Sequence, residues 1–201
     1  MKVKSLTPKA GLLAVLCLMG TTVFAQNTKT VEYGFTTVKL SSTFTGALGS
    51  LGVIPGVVWP TRLSESGTAS FPITGGAIDL DTASGNVLHS GGLTLTAGGI
   101  ETRLQSFIID TTSGAPVITG LVIAGNQLVG RVPLFNLTLP AGFSLPISAK
   151  HGFELSLEGV GVTLTSQAAA ALNGVYSVTA FTEGLNIGTA DVSAVLSIRK
   201  Q

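Results

Sequence analysis

One histidine stands out among the residues able to do chemistry. His89 lies in Val87-Leu88-His89-Ser90-Gly91-Gly92-Leu93, which reads as a hairpin between two apolar strands. An imidazole there could ligate a metal or haem iron. No second ligand stands nearby at metal-site spacing, so a turn histidine bonded to backbone or solvent is the plainer reading. His151 follows Lys150 in an evident loop and reads as exposed. Tyr33 and Tyr176 are the only tyrosines, and Trp59 is the only tryptophan. A phenolate can ligate haem iron, although packing is the commoner use of the side chain. Tyr176 is placed to cover one end of the domain, and Trp59-Pro60 to pack a loop onto the core.

Other candidates are weaker. Asp79 and Asp81 stand two apart, on one face of an expected strand. Paired acids can do acid–base work or hold calcium, but only two ligands are supplied locally. Glu154 and Glu158 have ordinary surface spacing. No Gly-x-Ser-x-Gly elbow occurs, so the many serines offer no marked nucleophile. The glycine-rich stretches do not lead from a strand into a helix with phosphate-loop spacing. Asn136-Leu137-Thr138 matches the glycosylation sequon within an apolar strand.

The elements that must position these residues are short and apolar or alternating. They run from Val38-Lys39-Leu40 to Ala190–Ile198, with turn signals such as Gly75-Gly76, Gly98-Gly99, Ser113-Gly114 and Gly125-Asn126 between them. Leu93 and Leu95 alternate with Thr94 and Thr96, and Val160, Val162 and Leu164 alternate with Gly161 and Thr163. Half-buried antiparallel strands give this pattern. Phe107-Ile108-Ile109 is continuous and suits a central strand. Two segments are helical instead. Ser42–Leu51 puts Phe44, Ala47, Leu48 and Leu51 on one stripe, with Ser41 or Ser42 as N-cap and Gly52 as stop. Gln167–Leu172 follows Thr165 or Ser166 as cap, and Asn173-Gly174 can end it. The two helical segments look like copies of one unit, 124 positions apart. Val38-Lys39-Leu40-Ser41-Ser42 parallels Val162-Thr163-Leu164-Thr165-Ser166, and Ala47-Leu48 parallels Ala171-Leu172. Two helical caps on opposite ends or edges of a sandwich are the expected result.

Composition sets the compartment. Lys2, Lys4 and Lys9 precede the apolar run Leu12–Gly20, and Val23-Phe24-Ala25 fits a cleavage site, so residues 1–25 read as an export signal. The run is too short to span a bilayer. Cys17, the only cysteine, would leave with it, so no disulfide or thiolate chemistry is expected in the mature chain. Basic residues then fall from 11 to 8, against 10 acidic ones, which leaves no basic stripe for nucleic acid or an anionic membrane. Charged residues are only 10% of the chain, so hydroxyl groups must supply most of the polar surface. An outer-membrane barrel needs strands of ~9–11 residues and aromatic girdles. The short strands expected here and an aromatic share of 6% argue against one.

The stretch Phe71–Phe135 resembles secreted bacterial domains of the HtaA-like family. Phe71-Pro72-Ile73-Thr74-Gly75-Gly76 carries the resemblance, with Gly85-Asn86-Val87-Leu88-His89-Ser90-Gly91-Gly92-Leu93, Phe107-Ile108-Ile109-Asp110 and Arg131-Val132-Pro133-Leu134-Phe135. The tail from Val162-Thr163-Leu164-Thr165 through Ala168–Leu172 to Tyr176 is also similar. The resemblance implies a β-sandwich with short helices and, in that family, haem capture at the bacterial surface. Haem-binding members carry a tyrosine on the first short helix, about three residues after a phenylalanine. Here Phe44 is followed by Thr45, Gly46 and Ala47, and only His89 carries over.

The sequence therefore predicts an all-β chain: an antiparallel β-sandwich with two short capping helices. Residues 1–25 form the signal, 26–35 a polar lead-in and 36–201 a single domain. The expected role is a secreted or periplasmic, non-catalytic binding or structural module with an unknown ligand or envelope component as partner. It carries no integral membrane segment after cleavage and no cofactor. A haem-binding module using His89, with Tyr176 as a further candidate haem contact, is the alternative.

Overall fold

A computed structural model describes residues 27–197. The export signal and Cys17 lie outside the described residues. The described residues form eleven strands and two helices. The first strand, β1 (Thr28–Leu40), leads into α1 (Ser42–Ser50), followed by β2 (Ile54–Val58) and β3 (Arg62–Leu63). Then come β4 (Thr68–Asp79), β5 (Gly85–His89), β6 (Gly92–Ala97), β7 (Ile100–Asp110), β8 (Val117–Ala124) and β9 (Gln127–Thr138). The last elements are β10 (Glu154–Leu164), α2 (Ser166–Tyr176) and β11 (Asn186–Leu196).

Every pairing is antiparallel, and the sheet closes on itself. The ring runs β7-β5-β4-β1-β11-β10-β9-β8 and returns to β7 through the β7–β8 pairing. This eight-strand barrel replaces the expected sandwich. Alternation reports which face of a strand is buried, and it is the same whether the sheet faces a second sheet or curls round onto itself. The strands are also longer than their sequence suggested. β1 has 13 residues and β4 and β9 have 12. Gly75-Gly76 does not turn the chain: β4 passes straight through it, and a Cβ on Gly76 would collide with the Asn86 carbonyl oxygen on β5. The expected polar lead-in is, from Thr28 on, the first part of β1, paired to β4 and β11.

Apolar side chains fill the interior, while strand positions such as Lys39, Glu154 and Asp191 face outward. Among the described residues no helix is long and apolar enough to cross a membrane. The interior holds two apolar clusters. The larger joins Phe71, Phe107, Phe135, Val162 and Ile187 to Phe44 and Leu48 of α1 and Leu172 of α2. Phe107 meets Phe71 and Phe135 edge-on, with ring centroids 5.3 and 6.4 Å away, so the continuous apolar run of β7 is central as expected. The smaller cluster gathers Val31, Ile73, Ile78, Val87, Leu155 and Val192, covered by Ile147 and Ala149 from the segment after β9.

Both helices sit at one end of the barrel. Each follows a strand that runs antiparallel to β11, and Leu40 of β1 and Val162 of β10 both pair with Gly188. Ser41 caps α1 and Thr165 caps α2, each accepting a hydrogen bond from the backbone N–H three residues on, at 3.0 Å. Flanking strands on one partner must point the same way, so the duplicated units cannot close opposite ends. Asn173-Gly174 does not end α2, which continues to Tyr176 and stops at Ser177 in the left-handed region.

Candidate functional site

His89 ends β5 on the inward face, next to the bend at Ser90-Gly91. The bend is not a hairpin. β5 and β6 lie one after the other along the same partner: Asn86–Leu88 pair with Ile108–Asp110, and Gly92–Ala97 pair with Ile100–Gln105. Only their other edges differ, since β5 meets β4 and β6 meets β2. Gly91 (φ +79°) makes the fork possible. A Cβ there would strike Thr61, whose hydroxyl oxygen accepts a 2.8 Å bond from the Gly92 N–H.

The fork turns the imidazole into the barrel, where it is only 6% exposed. Its Nε2 lies 2.7 Å from the Thr36 hydroxyl, and among the described residues its Nδ1 has no hydrogen-bond partner. Thr36, on β1, is 3% exposed. The pair stands where the two apolar clusters meet. Along β1 the buried order is Val31, Thr36, Val38, and along β5–β6 it is Val87, His89, Leu93. Burial lowers the His89 pKa to about 4, because the cation would lose its water. Backbone groups of Phe107 and Val87 pull weakly the other way, yet neither reaches hydrogen-bond geometry with Nδ1. The ring is therefore neutral at physiological pH, with one donor and one acceptor nitrogen.

His89 and Thr36 line a cavity of about 40 Å³ whose other side chains, including Phe71, Leu93, Phe107 and Ile109, are apolar. A second cavity of about 80 Å³ shares Thr36, Ile109 and Ile118 with it and reaches Leu155 and Val192. A third, about 30 Å³, shares Leu93, Phe135 and Ile187 and extends to α2. The interior can grip a neutral group by hydrogen bonding and surround the remainder with hydrocarbon.

The structure does not bring the other candidates to this place. Tyr176, at the end of α2, is absent from the wall of the His89 cavity and donates its hydroxyl to the Leu95 carbonyl at 2.7 Å. Partial burial raises its pKa, so the phenol is held protonated. Tyr33 is 62% exposed. Trp59 is 87% exposed, so it does not pack its loop onto the core; Thr61, two residues on, does that instead. Asp79 and Asp81 do not share a strand face. Asp79 ends β4 and caps the following turn, its Oδ1 accepting from the backbone N–H groups of Asp81 and Thr82 and from the Thr82 hydroxyl. Those bonds, the Thr82 hydroxyl first, lower its pKa. Asn136 is exposed, and exposed His151 lies 3.3 Å from Glu154. No cluster of three or more His, Cys, Asp or Glu able to hold a metal occurs among the described residues.

Haem does not fit at His89 in this arrangement. A haem macrocycle is far larger than this cavity of about 40 Å³, and Nε2 is already engaged by Thr36. The role of Thr36 was not visible in the sequence, because a threonine on a strand is ordinary. Its one signal is position: the paired unit 124 residues on carries Val160 there, which is buried.

The barrel with its two end helices is an HtaA-like fold. Solved structures bear this out. The C-terminal domain of HtaA from Corynebacterium glutamicum is 17% identical and superposes with a TM-score of 0.65, over 84% of this chain and 99% of that one. The N-terminal domain of HtaA from the same organism is 12% identical, with a TM-score of 0.61 and the same coverage. The heme binding protein HtaB of that organism is 10% identical at a TM-score of 0.55, over 86% of this chain and 96% of that one. At these identities the likeness is one of fold. No family model matches the chain, and no characterised protein matches it by sequence.

Proposed function

We propose that this chain is a non-catalytic binding module with the HtaA-like fold, acting at the cell envelope or outside it. The observation that carries the reading is the neutral imidazole, paired with the Thr36 hydroxyl, in a cavity wall whose remaining side chains are apolar. It can hold a ligand through hydrogen bonding, and the Thr36 hydroxyl beside it is not set up as a nucleophile, because among the described residues no carboxylate in the cavity wall orients the imidazole through Nδ1. The export signal read in residues 1–25 supports the location. A screen of purified residues 26–201 against ester and glycoside substrates should show no turnover. Hydrolysis that disappears in His89→Ala would overturn the reading.

Haem binding is a second reading, favoured by the likeness to HtaB. On this chain it requires either an outer surface or opening of the β5–β6 bend, because His89 is enclosed. Adding haem to residues 26–201 and recording the Soret band tests it. An unchanged free-haem spectrum ends it, and a shifted band lost in His89→Ala would show that the bend opens.

A further inference from the structure

We propose that the barrel interior is a binding site for one small, neutral alkanol, its hydroxyl on the His89–Thr36 pair and its hydrocarbon chain in the adjoining cavity. The inference deepens the binding-module reading and rests on it. Three observations point the same way. The first is the bare Nδ1. Buried polar atoms in folded proteins are nearly always paired, and leaving one alone costs stability. His89 Nδ1 has no partner, and the ring lines a cavity.

The second observation is what the walls exclude. Among the described residues, Thr36 and His89 are the only polar side chains around the central cavity, and none there is charged. An ionic ligand would lose its hydration without compensation. A lone water needs two to four polar partners, and the apolar wall supplies few. A hydroxyl on a hydrocarbon chain suits the place better. The hydroxyl both donates and accepts, so it satisfies Nδ1 in either tautomer, and the chain needs no partner at all.

The third observation is shape. The cavities of about 80, 40 and 30 Å³ adjoin in series, the central one sharing walls with each of the other two. A string of small voids fits an unbranched, flexible chain better than a rigid ring. The largest void lies on the smaller-cluster side, bounded by Ile78, Leu155 and Val192, so the hydrocarbon tail points away from the helices. Eight-stranded barrels are of the width that either fills with side chains or holds one small ligand.

The test uses residues 26–201, with 1-hexanol and hexane as probes. Ring-detected ¹H–¹⁵N spectra of the unmodified protein should show the His89 nitrogen resonances moving saturably with 1-hexanol and staying in place with hexane. In His89→Leu, the affinity for 1-hexanol relative to hexane should fall about tenfold, the worth of one hydrogen bond. Absence of any saturable shift with 1-hexanol would overturn the proposal, as would an unchanged preference in a folded His89→Leu protein. Should that variant not fold, the ring spectra of the unmodified chain decide alone. A missing 1-hexanol response beside an intact Soret shift with haem would remove the interior site and leave the module reading standing.

Discussion

The two helical units are built alike and used differently. In each, a strand that lines the barrel is followed by a hydroxyl residue. That hydroxyl accepts from the helix and donates to a distant backbone carbonyl: Ser41 to Asn186, and Thr165 to Pro133. In each, the helix buries a residue three and a residue seven positions after the cap, Phe44 and Leu48 in α1, Ala168 and Leu172 in α2. The segments that follow diverge. After α2 the chain folds straight back: Asn173 holds both the N–H and the carbonyl of Phe181, whose ring is 2% exposed. After α1 the chain makes β2 and β3, leaves Trp59 in solvent and reaches the fork through Thr61. The strands diverge too, with Thr36 in the first unit where the second has Val160. One unit seals the barrel and the other shapes its polar interior.

The sealing role should show the largest effect. Phe181→Ala removes a fully enclosed ring and should cost about 3–5 kcal/mol in denaturant unfolding. Trp59→Ala, in the segment after α1, should change stability by less than about 0.5 kcal/mol. Equal losses at the two sites would break the contrast.

The polar interior should appear as a pH dependence. His89 titrates at 6.5 when unfolded and at about 4 when folded, so the unfolded chain binds the extra proton between those values. Stability is then full above pH 6.5 and is lost as pH falls through the window, by about 3 kcal/mol in total. His89→Gln should flatten that part of the profile. Asp79 and Asp110, both held below the usual carboxylate value, titrate beneath the window and do not blur it. Thr36→Val makes the first strand resemble the second and strips Nε2 of its partner, for a loss of about 1–3 kcal/mol. The smallest effects belong to the shared design. Ser41→Ala and Thr165→Ala should each cost about 1 kcal/mol, and by similar amounts.

Much of the scaffold was legible in the residues. The hydroxyl pairs Ser41-Ser42 and Thr165-Ser166 announced both helices, the first of each pair being the cap, and the alternation at Leu93–Thr96 and Val160–Leu164 announced buried faces. Three features were hidden for physical reasons. Closure depends on which distant strands pair, and side-chain periodicity does not encode that. The chain passes straight through Gly75-Gly76 and bends without reversing at Ser90-Gly91, because glycine serves close approach as readily as it serves turns. The bulge at Ser106 (φ +54°) lets Leu104 and Phe107 both point inward, three residues apart, which a strict two-residue period forbids. At the site, the histidine was legible and its setting was not. Nothing in Val87–Leu93 distinguishes a turn histidine from one folded inward onto a threonine of another strand.

The most direct measurement is the ¹⁵N titration of the His89 ring in residues 26–201. An enclosed imidazole bonded through Nε2 should stay neutral from pH 7.5 to 5 and gain its proton only near pH 4. Protonation near 6.5 in the folded chain would mean that the ring meets water, and the account of a sealed barrel with an inward polar pair would fail.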